Sequence, residues 1–287
     1  MRGILSVLRT KRADREGKVR QYYQTLYHSW GAQHWWPAET RFEVIVGAYL
    51  TQNTAWTNVE LALANLRSAH VLSIEGIRDV PLRRLERLIR SSGYFRQKAK
   101  RLKTFVGFLD EKYHGSLDQL FSQPTDRLRE ELLSLNGVGP ETADSILLYA
   151  GNHPVFVVDG YTRRILERHG ILTDKADYEN IRELFQSALA PVVQEQVQMP
   201  ADLKPRLDAG IRGAAHPPSA MSTAARTALV QVYNEMHGLI VGVGKNYCRK
   251  TKPACDACPL LPFLPVNHRA VGRKPGATQS ESPEAGP

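Results

Sequence analysis

The 287-residue chain carries 38 lysines and arginines against 29 aspartates and glutamates, a formal net charge of +9. Such a balance favours a polyanionic partner, of which nucleic acid is the commonest. No apolar run approaches the roughly 20 residues of a bilayer span, and Ile4 to Leu8 is too short an apolar core for a secretory signal. The expectation is an intracellular protein with no membrane partner.

Residues 1–19 hold Arg9, Lys11, Arg12, Arg15 and Lys18 with little apolar patterning, so stable order is expected to begin near residue 20. His34-Trp35-Trp36-Pro37 follows, then a first core helix that ends at the loop Leu50-Thr51-Gln52-Asn53-Thr54. Val59, Ala62, Leu63 and Leu66 fall at i, i+3, i+4 and i+7, one apolar helix face. The same stripe recurs at Ala99, Leu102, Val106 and Leu109, at Ala143, Ile146, Leu147 and Ala150, and at Leu229, Val232, Met236, Ile240 and Val243. The one β-branched run, Val155 to Val158, is short and reads as an extended connector ending at Asp159. Residues 191–222, rich in Pro, Ala and Gly, read as a surface insertion, and 265–287 as a frayed tail. Alternating strand patterns are nearly absent, so the fold expected is all-α.

The sharpest local feature is Leu135-Asn136-Gly137-Val138-Gly139-Pro140-Glu141-Thr142-Ala143, set between two helical stripes. Two glycines flank one apolar residue, and Pro140 suits the first position of the helix that follows. A helix N-terminus behind such a loop offers N–H groups and a positive dipole end to a phosphate. Taken alone, the pattern also fits a plain tight turn.

With its surroundings the segment resembles the hairpin of the helix-hairpin-helix, Gly/Pro-rich, Asp-containing (HhH-GPD) DNA glycosylases, which include endonuclease III. The resemblance covers roughly residues 20–262 and implies a two-lobed fold with a DNA groove between the lobes. A six-helix lobe would span about 38–148, and a second would combine 20–37 with 149–264. That family places an aspartate about twenty residues after the hairpin, ahead of a basic helix. Here Val157-Val158-Asp159-Gly160-Tyr161-Thr162-Arg163-Arg164 supplies it, Asp159 standing eighteen residues after Glu141. An aspartate there is commonly just a helix cap, but hairpin, spacing and Arg163-Arg164 together imply the catalytic residue. Breaking an N-glycosidic bond builds positive charge on the sugar, which an ionised carboxylate stabilises.

The resemblance further implies that Gln52 wedges into the gap left by an extruded base, while Asn136, Gly137, Val138, Gly139 and Arg163 meet the DNA backbone. Bifunctional relatives carry a lysine where this chain has Glu141, and a carboxylate cannot form the Schiff base that cuts the strand. The tryptophan pair, Tyr233-Asn234-Glu235-Met236-His237 and Gly244-Lys245-Asn246-Tyr247-Cys248 are similar to the bacterial endonuclease III-like 3-methyladenine glycosylases. The base pocket implied is Trp35, Trp36, Pro37, Trp56, Glu141 and Lys245, since aromatic faces hold an electron-poor alkylated purine by stacking and cation–π attraction.

The three cysteines, Cys248, Cys255 and Cys258, lie close together near the C-terminus, which suggests metal ligation rather than a disulfide framework. Their C-x6-C-x2-C spacing resembles the opening of the endonuclease III iron–sulfur loop. That loop's fourth cysteine would stand at Leu264, so a 4Fe-4S cluster would need another ligand, His268 being near in sequence. The reading is a monomeric, monofunctional glycosylase acting on an alkylated purine in duplex DNA. Its alternatives are an endonuclease III-like glycosylase with lyase action on oxidised pyrimidines, and a non-catalytic DNA-binding module.

Overall fold

The computed structural model describes residues 2–173, 175–193, 213 and 216–266, with residues 2–9 as backbone only. Among them there are helices and no strand. The first surprise is α1, Arg2–Trp30, which begins well ahead of residue 20. Val19, Tyr22, Tyr23 and Leu26 are buried at helical spacing, and Arg12 reaches Ser187 at 3.1 Å. From that packed stripe the helix propagates outward, aided by the i,i+4 pairs Arg12–Glu16 and Lys18–Asp14. A basic composition does not reveal such a nucleus.

Eight helices rather than six fill residues 41–145. They are α2 (Arg41–Leu50), α3 (Trp56–Ser68), α4 (Ile74–Asp79), α5 (Leu82–Leu88), α6 (Phe95–Tyr113), α7 (Leu117–Phe121), α8 (Thr125–Leu133) and α9 (Pro140–Ser145). The extra pieces are single turns started by local caps: Ser73 accepts from Gly76 N–H and Ser116 from Gln119 N–H. Nearly the whole circumference of α2 is buried, as a central helix requires. It packs on α3, α6, α9 and the wider π turn Ile146–Ala150 in which α9 continues. Between α8 and α9 lies the hairpin.

Of the remaining helices, α10 (Gly160–Arg168), α11 (Tyr178–Leu189) and α12 (Ala228–Asn246), the last packs on the other two and on α1, and α11 also packs on α1. Val155 to Val158 is buried, non-helical chain that carries the backbone from the π turn to α10. Because α12 also touches the π turn, the two helix groups meet beside the start of α10.

Most of the 191–222 insertion lies outside the described residues, as do His268 and the tail from 267 onward. Its described end is packed, not loose. His216 N–H donates to Gln33 O at 3.2 Å and Met221 N–H to Ala38 O at 3.0 Å, so this stretch backs the segment that bears Trp35 and Trp36. No helix among the described residues is long and apolar enough to cross a membrane.

Candidate active site

Asp159 is the N-cap of α10. Its Oδ1 accepts from Thr162 N–H at 2.7 Å and from Thr162 Oγ1–H at 2.8 Å, and Thr162 Oγ1 faces back to the Asp159 N–H, closing a capping box. Its Oδ2 lies 3.6 Å from His237 Nε2 on α12. Burial works against the ionised carboxyl, but His237 and the Thr162 hydrogen bonds outweigh it and hold Asp159 below the usual carboxylate range. An anion is thus kept in a site where its side chain is only 12% exposed.

Beside Asp159 opens a cavity of about 350 Å³ walled by Trp35, Trp36, Trp56, Glu141, Tyr161, His237 and Lys245. The Trp36 ring stands edge-on to Trp56 at 5.1 Å and lies 5.1 Å from Tyr149, with Trp35 behind it at 5.8 Å. These are edge and tilted contacts, which leave ring faces to present to a guest. Lys245 Nζ is 6.0 Å from the centre of the Trp35 ring, and burial of the amine among these walls lowers its pKa, with Glu60 opposing. Glu141 stands at the mouth, open to solvent on one side. Desolvation by the surrounding walls and the charge of Asp159 push its carboxyl up to about 7, with Arg163 opposing. Two carboxylates share one site with their pKa values driven apart, the usual sign of divided roles.

A wider groove of about 740 Å³ runs from the same two carboxylates past Thr51, Asn53, Thr54, Tyr161, Arg164, Arg249 and Lys250. Three loops are latched together beside it. Gln52 Nε2 donates to Gly137 O at 3.0 Å and to Thr142 Oγ1 at 2.9 Å, while Arg101 Nη1 donates to Gln52 Oε1 at 2.7 Å. Lys98 is buried, its Nζ donating to Leu50 O at 2.8 Å and Ser92 O at 2.6 Å. The loop after α2, the turn before α6 and the hairpin are therefore one assembly.

The sequence pattern of the HhH-GPD superfamily of base excision DNA repair proteins matches residues 46–191, half of the chain. A Methanocaldococcus jannaschii protein named "putative DNA repair glycosylase" is 41% identical over 247 residues, covering 85% of this chain and 94% of that one. The chain belongs to the HhH-GPD superfamily. Endonuclease III of Thermotoga maritima is 27% identical over 235 residues, 82% of this chain and 85% of its own. Among solved structures, H. pylori 3-methyladenine DNA glycosylase (MagIII) bound to 1,N6-ethenoadenine matches with a TM-score of 0.60 at 29% identity, covering 79% of this chain and 94% of its own. A non-covalent endonuclease III–DNA complex shares the fold, with a TM-score of 0.62 at 20% identity over 87% of this chain and 94% of its own.

Of the residues expected at the pocket of an HhH-GPD glycosylase, Trp35, Trp36, Trp56, Glu141, Lys245 and Asp159 converge on the cavity, and Pro37 is not among its walls. The residues expected to face DNA differ in exposure. Gln52 is turned inward as a strut, and the exposed residue of that loop is Asn53, held at φ +54°. Val138 is buried with its N–H closing a turn on Leu135 O at 3.1 Å, which leaves Asn136 and Gly139 as the exposed hairpin residues. Arg163 donates to Ala176 O at 2.7 Å, whereas Arg164 lines the groove, its guanidinium 5.0 Å from the Tyr161 ring centre. Two side chains near the site were not singled out from the sequence: His237, 3.6 Å from Asp159, and Tyr94, an aromatic 67% exposed at φ +45° beside the latched loops. An aromatic directly after Gly93 in a basic run was the available signal for Tyr94; nothing in the sequence signalled His237 as a partner of Asp159.

Cys248, Cys255 and Cys258 line one small cavity with His169, Arg168 and Leu264. Arg168 Nη1 lies 3.2 Å from Cys248 Sγ, and Leu264, only 4% exposed, closes the corner where a fourth thiolate would stand. Among the described residues no three His, Cys, Asp or Glu side chains are set to hold a metal ion. Three thiols are present where a cubane usually takes four thiolates, and His268, the other ligand expected from the sequence, lies outside the described residues; no step below runs through a cluster.

Proposed function

We propose that the chain hydrolyses the N-glycosidic bond of a damaged purine, of the alkylated 3-methyladenine-like kind, in duplex DNA, and that it leaves the strand uncut. The observation that carries this reading is an anionic Asp159 set in the wall of a tryptophan-lined cavity. The extruded base enters the cavity and lies against its tryptophan walls, with the partly exposed Trp56 foremost, where an electron-poor purine gains most from aromatic faces. As the glycosidic bond lengthens, Asp159 faces the oxocarbenium charge on the sugar and orients the attacking water. Glu141, close to half-protonated near pH 7, donates a hydrogen bond to the base in its neutral form. Asn53 and Tyr94 stand exposed on the latched loops and fill the vacated stack, while Gln52 keeps those loops in place. The likeness to a 3-methyladenine glycosylase bound to an alkylated purine supports the substrate class.

The test is a panel of duplexes, each with one defined lesion, assayed for free base and, separately, for strand nicks. Release of an alkylated purine, an intact strand and no borohydride-trapped adduct are expected. Release of oxidised pyrimidines with nicking would replace this reading by an endonuclease III-like one, with Lys245 as the first candidate amine. Binding without release from any duplex would leave a DNA clamp.

A further inference from the structure

We propose that His237 is a positioning residue for Asp159, which it fixes through a chain Tyr149–His237–Asp159; this rests on the glycosylase reading above. A helix cap accounts for only one of the two carboxylate oxygens: Oδ1 is held by Thr162, and Oδ2 is left to face the cavity. Across the site His237 Nε2 lies 3.6 Å from Oδ2. His237 belongs to α12, not to α10, so the contact joins two helices across the site. Its ring is buried, with Trp35, Tyr149 and Phe156 at 6.1, 5.9 and 6.3 Å.

The far side of the ring decides its state. Tyr149 Oη meets His237 Nδ1 in a short hydrogen bond. Tyr149 is fully buried in the π turn, and desolvation drives its phenol well above the usual range, so it stays protonated. A phenol donating to Nδ1 leaves the neutral ring's one proton on Nε2, the nitrogen that faces Asp159. The other neutral tautomer would set a bare Nε2 against a carboxylate, acceptor against acceptor. At 3.6 Å the Nε2–H stops short of a full hydrogen bond and tightens when substrate closes the site, as such contacts commonly do. Oδ2 is thereby aimed at the cavity from a fixed direction, and the remaining lone pair meets the sugar or its water.

Single-turnover base release, from the duplex the wild type accepts, tests this with three variants. His237→Phe keeps the ring volume and removes both nitrogens, and its rate should fall roughly 10- to 100-fold, the range for loss of an orienting partner. Duplex affinity should stay unchanged. His237→Gln, which restores an amide N–H, should recover part of that loss, and Tyr149→Phe should lose up to about tenfold. On an Asp159→Asn background His237→Phe should cost nothing further, because the group it positions is gone. A purely structural histidine would instead show equal losses on both backgrounds, and that result overturns the proposal, as does a His237→Phe rate within twofold of wild type. Nitrogen-15 NMR of the wild-type protein gives a readout that needs neither activity nor a folded variant. A ring protonated at Nε2 and bare at Nδ1 supports the chain, and one protonated at Nδ1 sinks it. If the wild type released no base from any duplex, the glycosylase reading alone would fail. The NMR arm would still decide the pairing.

Discussion

At Asp159 one carboxylate oxygen is committed to the start of α10 and the other faces the cavity, so the roles of cap and catalyst separate by atom. Asp159→Asn keeps an oxygen for Thr162 and removes the charge. Base release should therefore drop about 10²-fold or more, while duplex affinity holds and thermal stability changes little, since asparagine caps as well as aspartate. A variant that still released base near the wild-type rate would reduce Asp159 to a cap. Glu141 behaves in the opposite sense. Its folded pKa lies near 7, above its ordinary 4.5, so the folded state favours the proton and stability from this group falls as pH rises from 4.5 through 7. Glu141→Gln removes that titration. The variant should melt with wild type at pH 4, gain over it between pH 4.5 and 7, and hold a constant margin above pH 8. A margin that stayed flat across this range would show that Glu141 ionises in the fold as it does in the unfolded chain.

Between helices, the hairpin is kept in place by side chains as much as by its own backbone. Gly137 has φ +81°, and a Cβ there would come 2.0 Å from Arg101 Nε. Gly137→Ala should therefore cost about 1–2 kcal/mol for the left-handed backbone alone and also push Arg101 off Gln52. Urea unfolding should show the loss of stability, and duplex binding should weaken with it. Unchanged values for both would mean that the latch does not support the hairpin. The glycine pair, Pro140 and the interval to Asp159 were legible because each demands a particular backbone or spacing. The tryptophan pair was legible because so many aromatics in one short stretch must pack on something. What could not be read depended on facing. Gln52 and Asn53 are neighbouring polar loop residues, and only the fold shows which one turns inward. Lys98 sits in a basic run that reads as surface, yet Leu50 O and Ser92 O draw its amine inside. The early helical start needed α11 as a partner, which a local window never contains.

Over the whole molecule the +9 charge is sorted by the fold into cations that face solvent and cations that hold the interior together. Arg90, Arg96 and Lys100 are exposed around the turn that carries Tyr94, and Arg249 and Lys250 lie along the groove. Lys98, from the same basic run, is 1% exposed, and burial lowers its pKa to about 8. Salt dependence separates the two classes. Each exposed cation that neutralises a phosphate releases a counterion, so replacing it by alanine should lower the slope of log affinity against log salt by about 0.9. Arg90→Ala, Arg96→Ala and Lys100→Ala should each reduce the slope, affect all duplexes alike, and leave the melting temperature nearly unchanged. Lys98→Met should leave the slope where it is. Its loss frees the carbonyls of Leu50 and Ser92 from their partner, at about 1–3 kcal/mol for each buried acceptor left unsatisfied, and loosens the turn that presents Tyr94. Fluorescence titrations of one undamaged duplex over a range of salt, run beside thermal melts, distinguish the outcomes. If Lys98→Met lowered the slope as much as Arg96→Ala, the ammonium would be reaching phosphate, and the latch between the loop after α2 and the turn before α6 would open when DNA binds.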